Sequence, residues 1–296
     1  MKKTTFLLGS LFYFSYAYSA QDPNGKDESV GPKIEYNALH MPCVIQNEDE
    51  NTCVVNSAYN VLLWAKEQAL PLKNEIPAHP LLLLNHASAW TMYTRGIKPY
   101  RMIKKYPEYA EYVDKEMKIA GISYEVLDKR YTSYEAELNE LEKQNGLSAE
   151  SYRAKLVAIN NTFYSWFKTQ VNNRAKALPS EKQIALYCDI VESCGGMSLY
   201  NDAEQIIESF GLETYRSNEY DVDSVMKEKN AIGYISSLGR HAVSFLKVEG
   251  KDEWMKTDGF SAIKDERKYT LKEVKADYGK KSNLLICASL ASHLIK

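Results

Sequence analysis

The sequence has almost no net charge, and after its first twenty residues it has no long apolar run. Lysine and arginine number 37 against 39 aspartates and glutamates, and the two signs are interspersed. A nucleic-acid-binding protein needs a basic face or stripe, so this balance excludes that class. Later apolar runs, such as residues 80–84, are too short to cross a bilayer. We therefore predict no nucleic-acid partner, and no membrane contact once the N-terminal segment has been removed.

The signatures of common cofactor and metal sites are also missing. The sequence contains no glycine-rich phosphate loop, dinucleotide-binding fingerprint or serine nucleophile elbow. Four of the five histidines are scattered without the spacing of metal ligands: His40, His79, His86 and His293. We predict that the protein uses neither a cofactor nor a metal ion.

Cysteine is scarce, and its number is odd. The five cysteines are Cys43, Cys53, Cys188, Cys194 and Cys287. In an oxidising compartment an odd count leaves at least one thiol or an intermolecular bridge. One solution is two disulfides with Cys53 left as the thiol, and the other is that no cysteine is bridged. In one helix Cys188 and Cys194 would lie roughly 9 Å apart along the axis, so a bond between them requires the helix to end first.

Residues 1–20 have the layout of a secretory signal peptide. Two lysines precede an almost wholly apolar stretch over residues 6–18, and Ala17, Ser19 and Ala20 supply small residues for cleavage. An uncleaved N-terminal anchor is the alternative. The short, lysine-led start is typical of bacteria, so we predict a secreted or periplasmic bacterial protein.

The rest of the chain divides by its texture. Residues 21–33 are polar and indicate a flexible leader. Residues 34–100 and 179–296 have the mixed pattern of a compact core, whereas residues 101–178 have long, charged, amphipathic segments typical of helices. We predict one core in two parts, interrupted by a helical insertion.

Three helices are predicted in the insertion. The first opens near Pro107, and the second has apolar residues in steps of three and four over residues 124–141. Gly146 follows the second helix, and Ser148 is a suitable N-cap for the third. The insertion is either a structural bundle packed on the core or an arm that binds a protein partner.

The last part of the chain favours helices followed by strands. Helices are predicted over residues 181–193 and 199–210, and Gly195 and Gly196 indicate the end of the first. The predicted strands are residues 231–236, 241–248, 254–258 and 284–290. A helix-rich first half followed by an antiparallel sheet predicts the α+β class.

Cys53 stands where a thiol is most readily ionised. It follows Thr52, a suitable N-cap for a helix that carries Val55, Ala58 and Leu62 on one face. The positive end of the helix dipole stabilises a thiolate, which is the reactive form of cysteine. A buried structural cysteine is the alternative.

His241 and Asp258 are the predicted partners of this thiol. If Lys247 pairs with Trp254 across the turn, Asp258 lies opposite Val243 and diagonal to His241. An acid in that position can orient the imidazole and stabilise its charged form. A register slip of one residue would turn Asp258 away.

Acyl transfer also requires hydrogen-bond donors for the developing oxyanion. The backbone amide of Cys53 is one candidate. Gln46, Asn47 and Asn51 precede it and offer side-chain amides, of which we favour Gln46.

Together these motifs resemble the papain-like cysteine peptidase superfamily, especially its C39-like and Josephin-like branches. The resemblance rests on Gln46, on residues 52–60, and on the downstream segments 241–243 and 254–259. It implies a papain-like core, with Gln46 assisting the oxyanion hole, Cys53 as the nucleophile, His241 as the base and Asp258 as the acid that supports it. Two features depart from the family pattern: Gln46 is far from Cys53, and Val54 replaces a small residue.

We therefore predict an exported cysteine hydrolase, a thiol protease or isopeptidase that acts on a protein or peptide substrate. A glutamine deamidase or transglutaminase would use the same residues and the same acyl-enzyme. The third alternative is an inactive protein whose helical insertion binds a partner.

Overall fold

The computed structural model describes residues 33–37, 39–45, 51–87, 122–193, 196–197, 199–237, 241–259, 267–278 and 283–288. All of them belong to one unit, Gly31–Lys296. The predicted signal peptide, and the predicted leader up to residue 32, lie outside the described residues. So does the predicted first helix of the insertion.

The first part of the core contains a short hairpin and the helix that begins at Cys53. Strands β1 (Ile34–Tyr36) and β2 (Pro42–Val44) pair antiparallel. Helix α1 (Cys53–Glu67) follows, and its predicted start is confirmed. A short 3-10 helix (Pro80–Asn85) comes next, with the ring of His79 accepting a hydrogen bond from the Leu81 amide at its start.

Thr52 occupies the N-cap position of α1, but the predicted cap interaction is wrong. Its side chain makes no capping hydrogen bond to the helix backbone. The Thr52 hydroxyl instead accepts a hydrogen bond from the Asn56 side-chain amide at 3.1 Å. The Asn56 side chain, one turn further along α1, therefore occupies the Thr52 oxygen that a backbone amide would otherwise use.

Two long helices form the described part of the insertion. Helix α2 spans Tyr124–Lys143, and helix α3 spans Ala149–Lys176. The turn between them contains Gly146 with φ +82, and the Ser148 hydroxyl caps α3 through the Ser151 amide, as predicted. The apolar seam of α2 is buried at Leu127 and Tyr131. That this hairpin binds a partner stays a prediction.

The second part of the core begins with helices. Helix α4 (Ser180–Ser193) leads to a π-helical turn (Leu199–Ala203) and then to α5 (Glu204–Ser209). Strand β3 (Glu213–Arg216) and helix α6 (Val222–Glu228) follow, neither of which the sequence pattern predicted. Both are short, so they offer too few residues for a periodic signal.

The remaining elements complete the main sheet. They are β4 (Ala231–Ser237), β5 (Ala242–Lys247), β6 (Trp254–Thr257), β7 (Lys268–Tyr269), α7 (Leu271–Tyr278) and β8 (Asn283–Cys287). The sheet has the order β3-β8-β4-β5-β6-β7, and every pairing in it is antiparallel. Strand β8, the last one that the structure describes, is thus an interior strand, as predicted.

Helix α1 packs on one face of this sheet, against β4 and β5. Val61 and Leu62 of the helix join Ile235 and Leu246 in the larger core cluster. The opposite face of the sheet carries a second cluster that includes Phe245 and Trp254. The fold is therefore a mixture of helix and antiparallel sheet, as the α+β prediction states.

The predicted arrangement with two disulfides is wrong. Cys43, Cys53 and Cys287 are thiols in the structure. Each is buried in a different element, so their sulfur atoms are held in separate packing environments. Cys194 lies outside the described residues.

Within the described ranges, no helix is both long enough and apolar enough to cross a membrane.

Candidate active site

Cys53 is the first residue of α1 and lies almost out of contact with solvent. Its exposed fraction is 8%. The first turn of α1 contains no acidic residue, so no carboxylate there offsets the positive end of the helix dipole. The backbone amides of the first turn also have no acceptor within the helix. Cys53 therefore lies where both the dipole and the backbone donors stabilise negative charge.

His241 and Asp258 meet because β5 and β6 pair in the predicted register. Lys247 lies opposite Trp254 and Ser244 opposite Thr257, which confirms the expected hairpin. Asp258 follows the last paired residue of β6, and His241 directly precedes β5. Their side chains form a hydrogen bond of 2.9 Å between His241 Nε2 and Asp258 Oδ1.

The Asp258 carboxylate is held at both of its oxygens. While Oδ1 contacts His241, Oδ2 lies 2.9 Å from the ammonium group of Lys256. The Asp258 side chain is only 12% exposed, so both interactions are shielded from water. The sequence analysis did not single out Lys256. Side chains alternate along a strand, so a lysine two residues before the acid was the available signal.

Hydrogen bonds with Asp258 and with Cys53 raise the pKa of His241 to about 9, and the negative charges of both partners act in the same direction. Partial burial opposes the shift but is outweighed. The imidazole is therefore positively charged at neutral pH. Because Nε2 faces Asp258, Nδ1 is the ring nitrogen left for the Cys53 sulfur. The structure thus brings together three of the four predicted site residues.

Cys43 is a second thiol beside this site, and the sequence did not indicate it. The backbone amide of Asp258 hydrogen-bonds the Cys43 sulfur. Burial, followed by the charge of Asp258, raises the pKa of the Cys43 thiol to about 12. Cys43 is therefore a neutral thiol that holds the Asp258 backbone rather than a second nucleophile.

The predicted oxyanion side chain cannot be placed, because Gln46 and Asn47 lie outside the described residues. Asn51 is half-buried, and its carbonyl oxygen lies 3.6 Å from the position that a Cβ on Gly196 would occupy. Gly196 has φ +106, a conformation that favours glycine. Residue 196 therefore approaches the start of α1 without a side chain between them.

A cavity of about 150 Å³ lies at the other end of α1, beside Trp64. Leu70, Ile232 and Lys247 are among its lining residues, and neither a cysteine nor a histidine lines it. Trp64 is about three helical turns from Cys53, so this cavity is separate from the thiol. We do not assign it a catalytic role.

Among the described residues, no group of three or more His, Cys, Asp or Glu side chains is arranged to hold a metal ion.

Comparison with protein-family models, curated proteins and solved structures finds no match for this chain. Its function has to be inferred from the chemistry of the site.

Proposed function

We propose that the protein is an exported, papain-like cysteine hydrolase that cleaves amide or isopeptide bonds of a protein or peptide substrate. One observation carries the proposal: the imidazole of His241 hydrogen-bonds both a cysteine at a helix N-terminus and a buried aspartate. A helix bearing the thiol and packed on an antiparallel sheet bearing the other two groups is the arrangement expected of a papain-like core.

The reaction follows from these three groups. The Cys53 thiolate attacks the carbonyl carbon, and a carbon–sulfur bond forms as the carbonyl π electrons move to oxygen. The His241 imidazolium then gives its proton to the leaving nitrogen, the carbon–nitrogen bond breaks, and the amine departs. Asp258 keeps the ring oriented and stabilises its charged form. Water, deprotonated by His241, next attacks the thioester, which releases the acid and restores the thiol.

The helix N-terminus has a second role in this scheme. The backbone amide of Cys53 is a donor for the tetrahedral oxyanion. We propose Gln46 as the second donor, because its side-chain amide N–H can donate a hydrogen bond to the oxyanion while staying uncharged. Replacing Gln46 with Glu removes that donor, and we expect a loss of about 10²-fold in kcat.

The proposal is tested by covalent labelling with a peptide that carries a thiol-reactive electrophile in place of the scissile bond. Wild type should gain one adduct at Cys53, and Cys53→Ala should gain none while keeping the same circular dichroism spectrum. Cys287→Ala is the matched control, because it removes another buried thiol, one that belongs to the cluster on the opposite face of the sheet. Labelling that persists in Cys53→Ala, or is lost in Cys287→Ala alone, contradicts the proposal.

The reaction products distinguish amide hydrolysis from deamidation and transamidation. Hydrolysis of a peptide bond cuts the substrate chain, whereas glutamine deamidation adds about one dalton and transamidation makes a crosslink, all through the same acyl-enzyme. Intact mass spectrometry of a treated protein substrate distinguishes the three. Failure of wild type to label at all would leave the partner-binding alternative.

A further inference from the structure

A small polar cluster lies inside the apolar interface between α1 and the sheet. It consists of Asn60 from α1, Ser244 from β5 and Thr257 from β6, and we call it the Asn60 cluster. All three side chains are buried. Their neighbours on the same face, such as Val61 and Leu246, are apolar. Buried polar groups are unfavourable unless their hydrogen bonds are made, so the bonding within this cluster is informative.

Hydrogen bonds join the three side chains of the Asn60 cluster to one another and to β2. The Asn60 side-chain oxygen accepts from the Val44 amide at 2.9 Å, and its nitrogen donates to the Ser244 and Thr257 hydroxyls at 3.4 and 3.5 Å. The two hydroxyls lie 2.6 Å apart, and the Thr257 hydroxyl donates to the Ser244 carbonyl at 3.2 Å. Either hydroxyl can be the donor in the 2.6 Å contact between Ser244 and Thr257.

Each member of the cluster is joined closely to a member of the candidate active site. Asn60 lies about two turns after Cys53 on α1, ~10 Å along the axis and on nearly the same face. Thr257 directly precedes Asp258. Ser244 belongs to β5, the strand that His241 precedes. The cluster therefore ties the helix that carries the thiol to the hairpin that carries the other two groups.

Val44 extends the connection to β2. Its amide is bound by Asn60, and the preceding residue, Cys43, contacts the Asp258 backbone through its sulfur. One side chain on α1 thus reaches three separate strands. Within the Asn60 cluster, only Asn60 itself hydrogen-bonds to all three of these strands, β2, β5 and β6.

Close apolar packing holds α1 on the sheet, but hydrophobic contacts have little directional preference. Hydrogen bonds are directional, so those of the Asn60 cluster fix the position and rotation of α1 on the sheet. Thiol–imidazole transfer depends on the distance between the two groups, since misplacement by about 1 Å can lower a rate by ~10²-fold.

We propose that Asn60 is a positioning residue, which through Ser244 and Thr257 sets the distance between the Cys53 sulfur and the His241 ring. The inference rests on the proposed function, because that function is what makes the distance between the sulfur and the ring important. Asn60 itself touches no reacting atom in this scheme.

The test compares two truncations at neighbouring positions of α1. Asn60→Ala removes the hydrogen bonds, and Val61→Ala removes buried apolar volume from the same helix without touching the cluster. The readout is the rate of alkylation of Cys53 by iodoacetamide between pH 5 and pH 10, together with the thermal midpoint. We expect Asn60→Ala to slow alkylation at pH 6 by roughly tenfold. Val61→Ala should lower the midpoint but change that rate less than threefold.

A purely structural role for Asn60 would give a different result. Both variants would then lower the midpoint, and neither would change the alkylation profile of Cys53. That result overturns the inference. Thr257→Val provides a second variant of nearly equal volume, in case Asn60→Ala does not fold. It removes one acceptor of the Asn60 amide, and we expect a smaller loss of rate in the same direction.

Failure of the inference can be told from failure of the proposed function. If wild-type Cys53 has no enhanced reactivity at pH 6, the proposed function is wrong. If wild type is reactive and Asn60→Ala keeps the full rate, only the positioning role is wrong.

Discussion

Asp258 Oδ1 lies 2.9 Å from His241 Nε2, although the two residues are 17 positions apart and neither belongs to a strand. His241 lies just before β5, and Asp258 lies just after β6. The contact exists because the register of the two strands brings these flanking residues together. The β5–β6 hairpin thus places the His241–Asp258 pair at its open end, where the imidazole can also reach the Cys53 thiol.

Replacing Asp258 with Asn should lower the pH at which the His241 ring loses its charge. The raised pKa of His241, about 9, depends first on the hydrogen bond to Asp258. Without that carboxylate, the His241 pKa moves back toward 6.5, and the charged ring is lost at lower pH. An NMR titration of the His241 ring measures this shift directly.

Asp252→Asn is the matched control for that variant. It makes the same chemical change in the exposed turn between β5 and β6. The titration midpoint of His241 should stay where it is in wild type. An equal shift in both variants would indicate a general charge effect and contradict the role given to Asp258.

Cys43 and Cys287 should resist alkylation in the native protein while Cys53 reacts. Burial is the main cause of pKa values of about 12 at both thiols. At pH 8 only about one in 10⁴ of such thiols is ionised, and the thiolate is the reactive form. Peptide mapping after brief iodoacetamide treatment should find the adduct at Cys53, and treatment in denaturant should modify all three. Native modification of Cys43 or Cys287 as fast as Cys53 would be inconsistent with their burial.

Titration of His241 should make the protein less stable at alkaline pH. Its folded-state pKa of about 9 is above the ordinary value of 6.5. Below pH 6.5 both states bind the proton and the stabilisation is complete. Between pH 6.5 and 9 the unfolded state loses the proton first, so the stabilisation is lost as the pH rises. Because the ring is 24% exposed, we expect a change on the order of 1–2 kcal/mol.

Urea unfolding at pH 6 and at pH 9.5 measures this difference. His241→Gln should show a smaller fall in the free energy of unfolding over the same interval. A fall of equal size in both proteins would assign the pH dependence to other groups.

Gly233→Ala should destabilise the contact between β4 and α1. A Cβ at Gly233 would lie 3.0 Å from both Cγ atoms of Val61, and neither the strand nor the helix backbone can move freely. We expect a loss of about 1–3 kcal/mol in the free energy of unfolding. Val61→Ala makes room for that methyl group, so the double variant should lose less than the sum of the single losses. Strict additivity would show that the two side chains do not compete for the same space.

Local patterns were sufficient for much of the secondary structure. The apolar steps over residues 124–141 predicted α2, Ser148 predicted the start of α3, and the turn after Lys247 predicted the β5–β6 register. These features depend on helical periodicity, capping and strand alternation, all of which act over a few residues. The capping hydrogen bond predicted at Thr52 is absent, because a competing side chain, Asn56, is invisible to a capping rule.

The buried polar contacts were not predictable in the same way. The Cys43 sulfur at the Asp258 backbone, and Asn60 at the Ser244 and Thr257 hydroxyls, come from elements far apart in the chain. A lone asparagine in an apolar helix gives no indication of which hydroxyls will meet it. Such partners become known only when the helix is docked on the sheet.

The order of residues was enough to identify the candidate nucleophile, base and acid, because each sits at a recognisable helix start or hairpin position. It could not decide whether the three would meet, since the helix and the hairpin are separated by the whole insertion. Packing of α1 on β4 and β5 decided that, through directional hydrogen bonds and close apolar contacts that exist only in the folded chain.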